Sequence, residues 1–241
     1  MTLRLLILAL LLPALAACTP AASPRPIGQE AQQNFQEGER LFEKGHYQEA
    51  IAAWEKVRES YFSAQLNTLA ELKIAEAYFR DSKFLEAAIA YENFLKEHPG
   101  HDRTSQVLYQ MGMAYFKQIL SPDRDQTATR NALTTFQSFA RLYPDDPRIE
   151  EVAPLIQDCK GRLASHELYV GRFYLRTGEV HAAIGRLNAL LTDYPSFEER
   201  AETYYTLWRA YVEMGDPNRA ATPLRTLLKE FPDSKWAKKA R

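Results

Sequence analysis

Residues 68–99 read TLAELKIAEAYFRDSKFLEAAIAYENFLKEHP. Apolar residues recur at helical spacing on both sides of Asp81-Ser82-Lys83, so the stretch reads as two helices joined by a tight turn. Small Ala75 and Ala87 let the two helices approach closely, while Tyr78, Tyr91 and Phe94 fill the space toward the next pair. Pro99 ends the second helix, because it has no N–H to donate and disfavours helix in the residue before it.

The same order of residues returns in four other registers. From residue 31 it gives Gly38, Leu41, Gly45, Ala50, Trp54 and Val57; from 105 it gives Leu108, Met111, Gly112 and Tyr115. After eight extra residues the 105 register resumes with Ala132, Phe136, Phe139 and Pro144. From 164 it gives Val170, Gly171, Tyr174, Gly178, Ala183, Leu187, Leu190 and Pro195. From 201 it gives Tyr204, Leu207, Tyr211, Gly215, Ala220, Leu224, Leu227 and Pro232. One such match is weak, but five in order identify the tetratricopeptide repeat. The expected fold is all-α: a superhelix of five helical hairpins near 31–64, 68–101, 105–146, 164–197 and 201–234, forming one domain over 29–241. The long interval between the third and fourth registers has two expected causes. One is a loop around Ser121-Pro122-Asp123-Arg124-Asp125-Gln126; the other is an extended first helix of repeat four, roughly Pro147 to Arg176. Pro154 either kinks that helix or marks its start.

The N-terminus has a different character. A short start with one positive charge, the unbroken apolar run Leu5 to Leu12, then Pro13 and the mostly small Ala14 to Ala17 describe a cleaved secretory signal over residues 1–17. The run is too short to cross a bilayer, which takes roughly 20 residues. Leu15-Ala16-Ala17-Cys18 resembles the bacterial lipobox, which makes Cys18 the expected lipidation site; plain secretion with an incidental cysteine is the competing reading. Thr19 rather than Asp follows it, which in similar lipoproteins implies the outer membrane. Residues 18–28, with three prolines, read as the lipidated cysteine and a flexible tether. With Cys18 acylated, Cys159 stands alone and reads as a small core residue.

A net charge of −1 gives no basic excess for nucleic-acid binding. There is no glycine-rich phosphate loop, Cys-x-x-Cys, His-Glu-x-x-His or Gly-x-Ser-x-Gly, so neither an enzyme nor a cofactor is expected. His98-Pro99-Gly100-His101-Asp102 has metal-like ingredients but lies where helices end and begin, and no metal is expected there. Asp123, Arg124, Asp125 and Gln126 read as a structural, ion-paired loop.

In arrays of this kind the first helix of each repeat lines the concave face, at positions 5, 9, 12 and 13. These positions bring Phe35, Phe42, Leu72, Phe79, Tyr109, Met113 and Phe116 into a row, none of them expected to serve hairpin packing. Such a row suits an extended peptide with apolar side chains; the alternative is that the tether or the chain's own packing covers it. Later repeats supply Leu168, Arg172, Leu175, Arg176, Tyr205, Arg209 and Val212 at the same positions, so the row turns basic. Residues 31–120 hold four arginines and residues 121–241 hold thirteen. A planar guanidinium pairs carboxylates through two bonds, which fits a protein-contact surface; ordinary solvated helix faces are the plainer explanation.

Asp123-Arg124-Asp125-Gln126-Thr127, Ala132-Leu133, Phe136 and Leu142-Tyr143-Pro144 resemble the third repeat of the BamD/ComL family of outer-membrane protein assembly lipoproteins. Tyr169, Phe173-Tyr174, Arg176, Gly178, Ala182-Ala183, Arg186 and Tyr194-Pro195 are similar to its fourth. The resemblance implies a non-catalytic, lipid-anchored subunit of the machine that folds β-barrels into the outer membrane, facing the periplasm. Implied partners are the periplasmic domains of the barrel subunit, accessory lipoproteins and unfolded outer-membrane substrates. It places Arg186 on the partner surface, with Arg172, Arg176 and Arg209 as further docking candidates, and directs the aromatic C-terminal signal of substrates to the N-terminal repeats. Two features depart from the family: Ser60-Tyr61-Phe62-Ser63-Ala64 lacks its Tyr-Pro pair, and the last repeat stops soon after Trp236. A periplasmic repeat adaptor for pilus assembly or envelope division is the alternative.

Overall fold

The computed structural model describes residues 26–241; the signal segment 1–17 and Cys18 lie outside the described residues. Among the described residues eleven α-helices follow one another. The first six are α1 (Ile27–Glu43), α2 (Tyr47–Glu59), α3 (Ala64–Arg80), α4 (Phe84–Glu97), α5 (Thr104–Phe116) and α6 (Thr127–Leu142). The rest are α7 (Ile149–Arg176), α8 (Val180–Asp193), α9 (Arg200–Glu213), α10 (Pro217–Glu230) and α11 (Lys235–Ala240). Each helix packs on the one before it, so α1–α2, α3–α4, α5–α6, α7–α8 and α9–α10 form five stacked antiparallel hairpins in a tetratricopeptide-repeat superhelix. The short α11 folds back onto α9. No helix among the described residues is long and apolar enough to cross a membrane.

The repeat pattern has a mechanical origin visible at two positions. The hairpin turn needs a left-handed residue, supplied by Gly45, Gly178 and Gly215 at φ 78°, 83° and 77°. Ser82 takes the equivalent place in repeat two at φ 59° and bears the steric cost of its Cβ. The second position is a small residue that receives the large one from the facing helix. A Cβ added at Gly38 would lie 2.4 Å from Nε1 of Trp54, at Gly112 2.6 Å from Phe136, and at Gly171 2.8 Å from Leu187. Trp54, Phe136 and Leu187 are completely buried, so each glycine is the socket for its repeat's central side chain.

The irregular part lies between repeats three and four. Helix α7 is 28 residues long and begins at Ile149. Pro154 is therefore inside it, on the exposed side, and does not mark its start. Cys159 sits on α7 in the core with Phe136, Phe139 and Val152, and burial pushes its thiol up to about 12. It is a packing residue rather than a nucleophile.

Candidate partner-binding surfaces

The row of apolar side chains expected on the concave face is less free than the sequence suggests. Leu72 is buried in the core with Tyr91 and Phe94. Phe35 and Phe42 lean on Trp54, with ring centroids 6.4 and 5.8 Å away. Phe79 packs edge-on against Phe84 at 5.4 Å, Tyr109 against Phe139 at 6.0 Å, and Phe116 against Phe136 at 6.2 Å. Met113 is half-buried in the same cluster as Tyr109 and Phe116. The expectation that hairpin packing needs none of these residues is thus corrected. In repeats one and three a ring at position 5 or 12 of the first helix also reaches the central aromatic of the second helix, which no local pattern reveals.

Cations cover several of the ring faces. Lys73 lies 5.7 Å from the Phe42 centroid, Arg162 5.7 Å from Phe116, and Arg148 5.6 Å from Tyr109. The Tyr109 hydroxyl donates to Glu151 at 2.9 Å, and burial first, then that bond, holds its phenol above its ordinary range.

What remains open is a small cleft of about 130 Å³ between α3 and α5. Leu72, Phe79, Tyr91 and Val107 give it an apolar floor, and Arg80 and Arg103 stand at its rim with no carboxylate within ion-pair distance among the described residues. Of the seven groove residues expected from sequence, Leu72 and Phe79 line it and the other five do not. Arg103 was not among the expected residues; it lies in the turn before α5, outside the repeat positions used to find the row.

The C-terminal repeats hold a second, larger cleft of about 490 Å³. Arg172 and Arg176 of α7, Arg209 of α9 and Lys239 of α11 line it, together with Tyr205, Trp236, Glu202 and Glu213. Arg172 is paired with Glu202 at 2.9 Å, whereas Arg176 and Arg209 have no carboxylate partner among the described residues. Arg176 lies 5.5 Å from the Phe173 ring centroid instead. Lys239 covers both Tyr205 and Trp236, at 5.4 and 5.7 Å. Its helix is set by Ser234, whose Oγ accepts from the Ala237 N–H. That Ser-Lys-Trp start was the available sequence signal for α11.

Arg186, the fourth docking candidate, is elsewhere. It projects from α8, and its Nη1 alone donates to Glu167 of α7, at 3.0 Å to Oε2 and 3.3 Å to Oε1. Its Nε and Nη2 have no partner among the described residues, so one edge of the guanidinium fork is left to pair a carboxylate.

The loop between α5 and α6 is closed by hydrogen bonds rather than by the ion pairs expected of Asp123, Arg124 and Asp125. Gln126 is buried, and its Nε2 donates to the carbonyls of Ser121 and Arg124 while its Oε1 accepts from the Thr129 hydroxyl. Asp125 accepts from the Thr127 N–H at 2.8 Å, which holds its carboxyl below the ordinary range. At the other turn, His98 Nε2 lies 2.7 Å from Glu71, which also faces Arg58 at 3.6 Å, and His101 Nδ1 accepts from the Arg103 N–H. The first two contacts tie the end of α4 to α3 and α3 to α2, and the last orders the turn before α5.

Residues 28–223 match the family model described as YfiO, outer membrane lipoprotein. The chain belongs to the YfiO family. The chain is similar to the outer membrane protein assembly factor BamD of Caulobacter vibrioides, 26% identical over 202 residues, covering 84% of this chain and 66% of that one. BamD of Neisseria meningitidis is 25% identical over 210 residues, covering 83% of this chain and 79% of that protein. The chain therefore spans about two thirds of the first relative's length and about four fifths of the second's. The resemblance to BamD read from the third and fourth repeats is the family the matches show. The tetratricopeptide domain of P58(IPK) is 16% identical with a TM-score of 0.47, covering 88% of this chain and 54% of that one.

Proposed function

We propose that this chain is a non-catalytic assembly factor for outer-membrane proteins, anchored by an acylated Cys18 and facing the periplasm. Membership of the YfiO family, with assembly factors among its relatives, is the observation that supports this reading most directly. The surfaces give it a division of labour. Arg186, with one guanidinium edge unpaired, presents a bidentate site for a carboxylate of the barrel subunit's periplasmic domains. The cleft holding Arg176 and Arg209 offers a second, cationic surface for the same subunit or for accessory lipoproteins. The small cleft at Phe79 receives the aromatic C-terminal end of an unfolded substrate, its ring on Leu72 and Phe79 and its terminal carboxylate toward Arg80 and Arg103.

Co-purification from detergent-solubilised outer membranes tests this reading. A chain tagged after Arg241 is expected to retain a large barrel protein with periplasmic repeats, and Arg186→Glu to lose it. In the variant the new carboxylate would face Glu167 and present the wrong sign to a partner acid. Recovery of pilus or cell-division proteins instead would overturn the function and leave the fold untouched.

A further inference from the structure

The turn between α2 and α3 carries an exposed aromatic pair that neither of the two clefts uses. Tyr61 is 87% exposed and Phe62 54% exposed; among the described residues no other large apolar side chain is as exposed as Tyr61. The pair is held out by a built turn. Tyr61 has φ 48°, in the left-handed region where a residue with a Cβ is uncommon. Ser60 Oγ donates to the Val57 carbonyl at 2.6 Å and accepts from the Phe62 N–H, while Ser63 Oγ caps α3 through the Leu66 N–H.

The place of this turn narrows what it meets. The Phe62 ring lies across the first turn of α1, since a Cβ at Gly28 would come within 2.2 Å of it. The pair therefore sits where the chain enters the domain. Eight residues, 19–26, separate Cys18 from α1, and fully extended they reach at most about 28 Å. A chain acylated at Cys18 therefore brings this turn, at the tethered end of the first hairpin, within reach of the bilayer. Lys56 and Arg58 offset Glu55 and Glu59 at the end of α2, leaving Glu30 as the acid in the first turn of α1 beside them. An exposed Tyr beside a Phe is the combination that settles at the boundary between headgroups and acyl chains, with the ring bodies in the apolar layer and the hydroxyl in the wet one.

We propose that Tyr61 and Phe62 insert into the leaflet that holds the acylated Cys18, a second membrane contact that fixes the tilt of the repeat domain. The acyl chains alone leave the domain free to swivel on its tether; a second contact on the first repeat gives both clefts a set direction relative to the membrane. The proposal rests on the reading of Cys18 as acylated.

The test uses the full lipidated chain reconstituted into vesicles of phosphatidylethanolamine and phosphatidylglycerol, with and without lipid brominated along the acyl chains. Tyr61→Trp is expected to add a fluorescence component that brominated lipid quenches, whereas Lys44→Trp, at the opposite end of the first hairpin, adds one that it does not. Mass spectrometry of the same preparation reads the acyl groups on Cys18. Acylated protein whose added Tyr61→Trp emission is unchanged by brominated lipid overturns the insertion alone. The same holds if that emission shifts only when a co-purified protein partner is added, because the turn is then a protein contact. A chain without acyl groups overturns the anchoring reading and this proposal with it.

Discussion

The Nδ1 of His166 lies 2.6 Å from the carbonyl oxygen of Pro122, tying the loop of repeat three to the long first helix of repeat four. The loop is also closed from within, because the buried amide of Gln126 serves the carbonyls of Ser121 and Arg124 and the hydroxyl of Thr129. The segment that makes the repeat spacing irregular is therefore an ordered brace between two hairpins.

The two attachments differ in cost. Gln126→Ala leaves three polar groups without their partner in a buried place and is expected to lose about 2–3 kcal/mol of stability, whereas His166→Ala loses about 1 kcal/mol. Urea unfolding of both variants, with hydrogen exchange over residues 117–126, reads the difference. Equal losses, or a loop whose exchange is unchanged by Gln126→Ala, would contradict the brace.

Two glycines in helices should respond with opposite signs. Gly38→Ala improves helix propensity by about 1 kcal/mol but drives a methyl into the Trp54 indole, whose N–H already donates to the Phe35 carbonyl, so a net loss of about 1–3 kcal/mol is expected. Gly185→Ala, in exposed α8 with nothing near the new methyl, should gain about 0.5–1 kcal/mol. Thermal melts of the pair check the socket argument, and a stabilised Gly38→Ala would refute it.

The contrast between these glycines shows why some of the molecule was legible in its sequence and some was not. Gly38, Gly112 and Gly171 recur in register with Trp54, Phe136 and Leu187, so a repeat announces the hairpin without any knowledge of contacts. The concave row recurs too, yet its exposure depends on how far Phe35, Phe42 and Phe116 lean back onto the second helix, which is a matter of side-chain reach rather than of spacing. Arg172, Arg176 and Arg209 share a cleft because helical periodicity puts them on one face, while Arg186 is on the other helix of its hairpin and could not join them. Lys239 completes that cleft from a helix beyond the last repeat, where the repeat pattern had nothing to say. Gln126 is the extreme case: an amide in a polar loop looks solvated until the fold buries it.

Acid should weaken the junction of repeats three and four in a defined window. Arg148 donates to both carboxylate oxygens of Asp146, donates to Ser105 across the hairpin, and covers the rings of Tyr109 and Phe139. These bonds, from the Arg148 side chain above all, hold the Asp146 carboxyl well below the ordinary carboxylate range. A depressed pKa contributes stability that is fully present above the unfolded value, near 3.9, and is lost as pH falls through the folded one. Asp146→Asn is expected to cost about 1–2 kcal/mol at pH 7 and progressively less below pH 4. Urea midpoints for both proteins across that range decide it; a difference independent of pH would mean that the charge on Asp146 is not what holds Arg148.

The small cleft gives the sharpest test of substrate recognition, because its chemistry separates into an apolar part and a charged part. Phe79 is the better probe of the first: it lines the cleft at the edge of its core cluster, with Phe84 as its ring contact, whereas Phe116 braces the fully buried Phe136 beneath Arg162. A soluble peptide ending in phenylalanine should bind the chain, and Phe79→Ser should weaken it by roughly ten- to a hundredfold, the worth of losing one buried aromatic contact of about 1.5–3 kcal/mol. Arg103→Glu should weaken the same peptide and flatten the dependence of its affinity on salt, since the guanidinium is exposed and its attraction for the terminal carboxylate is screened. Amidating the peptide's C-terminus should reproduce the Arg103→Glu loss in the unaltered protein, and combining the two should add little. Circular dichroism of each variant separates lost binding from lost fold. Unchanged affinity in a helical Phe79→Ser would remove the cleft from the substrate path, and an amidated peptide that binds as well as the free acid would remove the arginines from it.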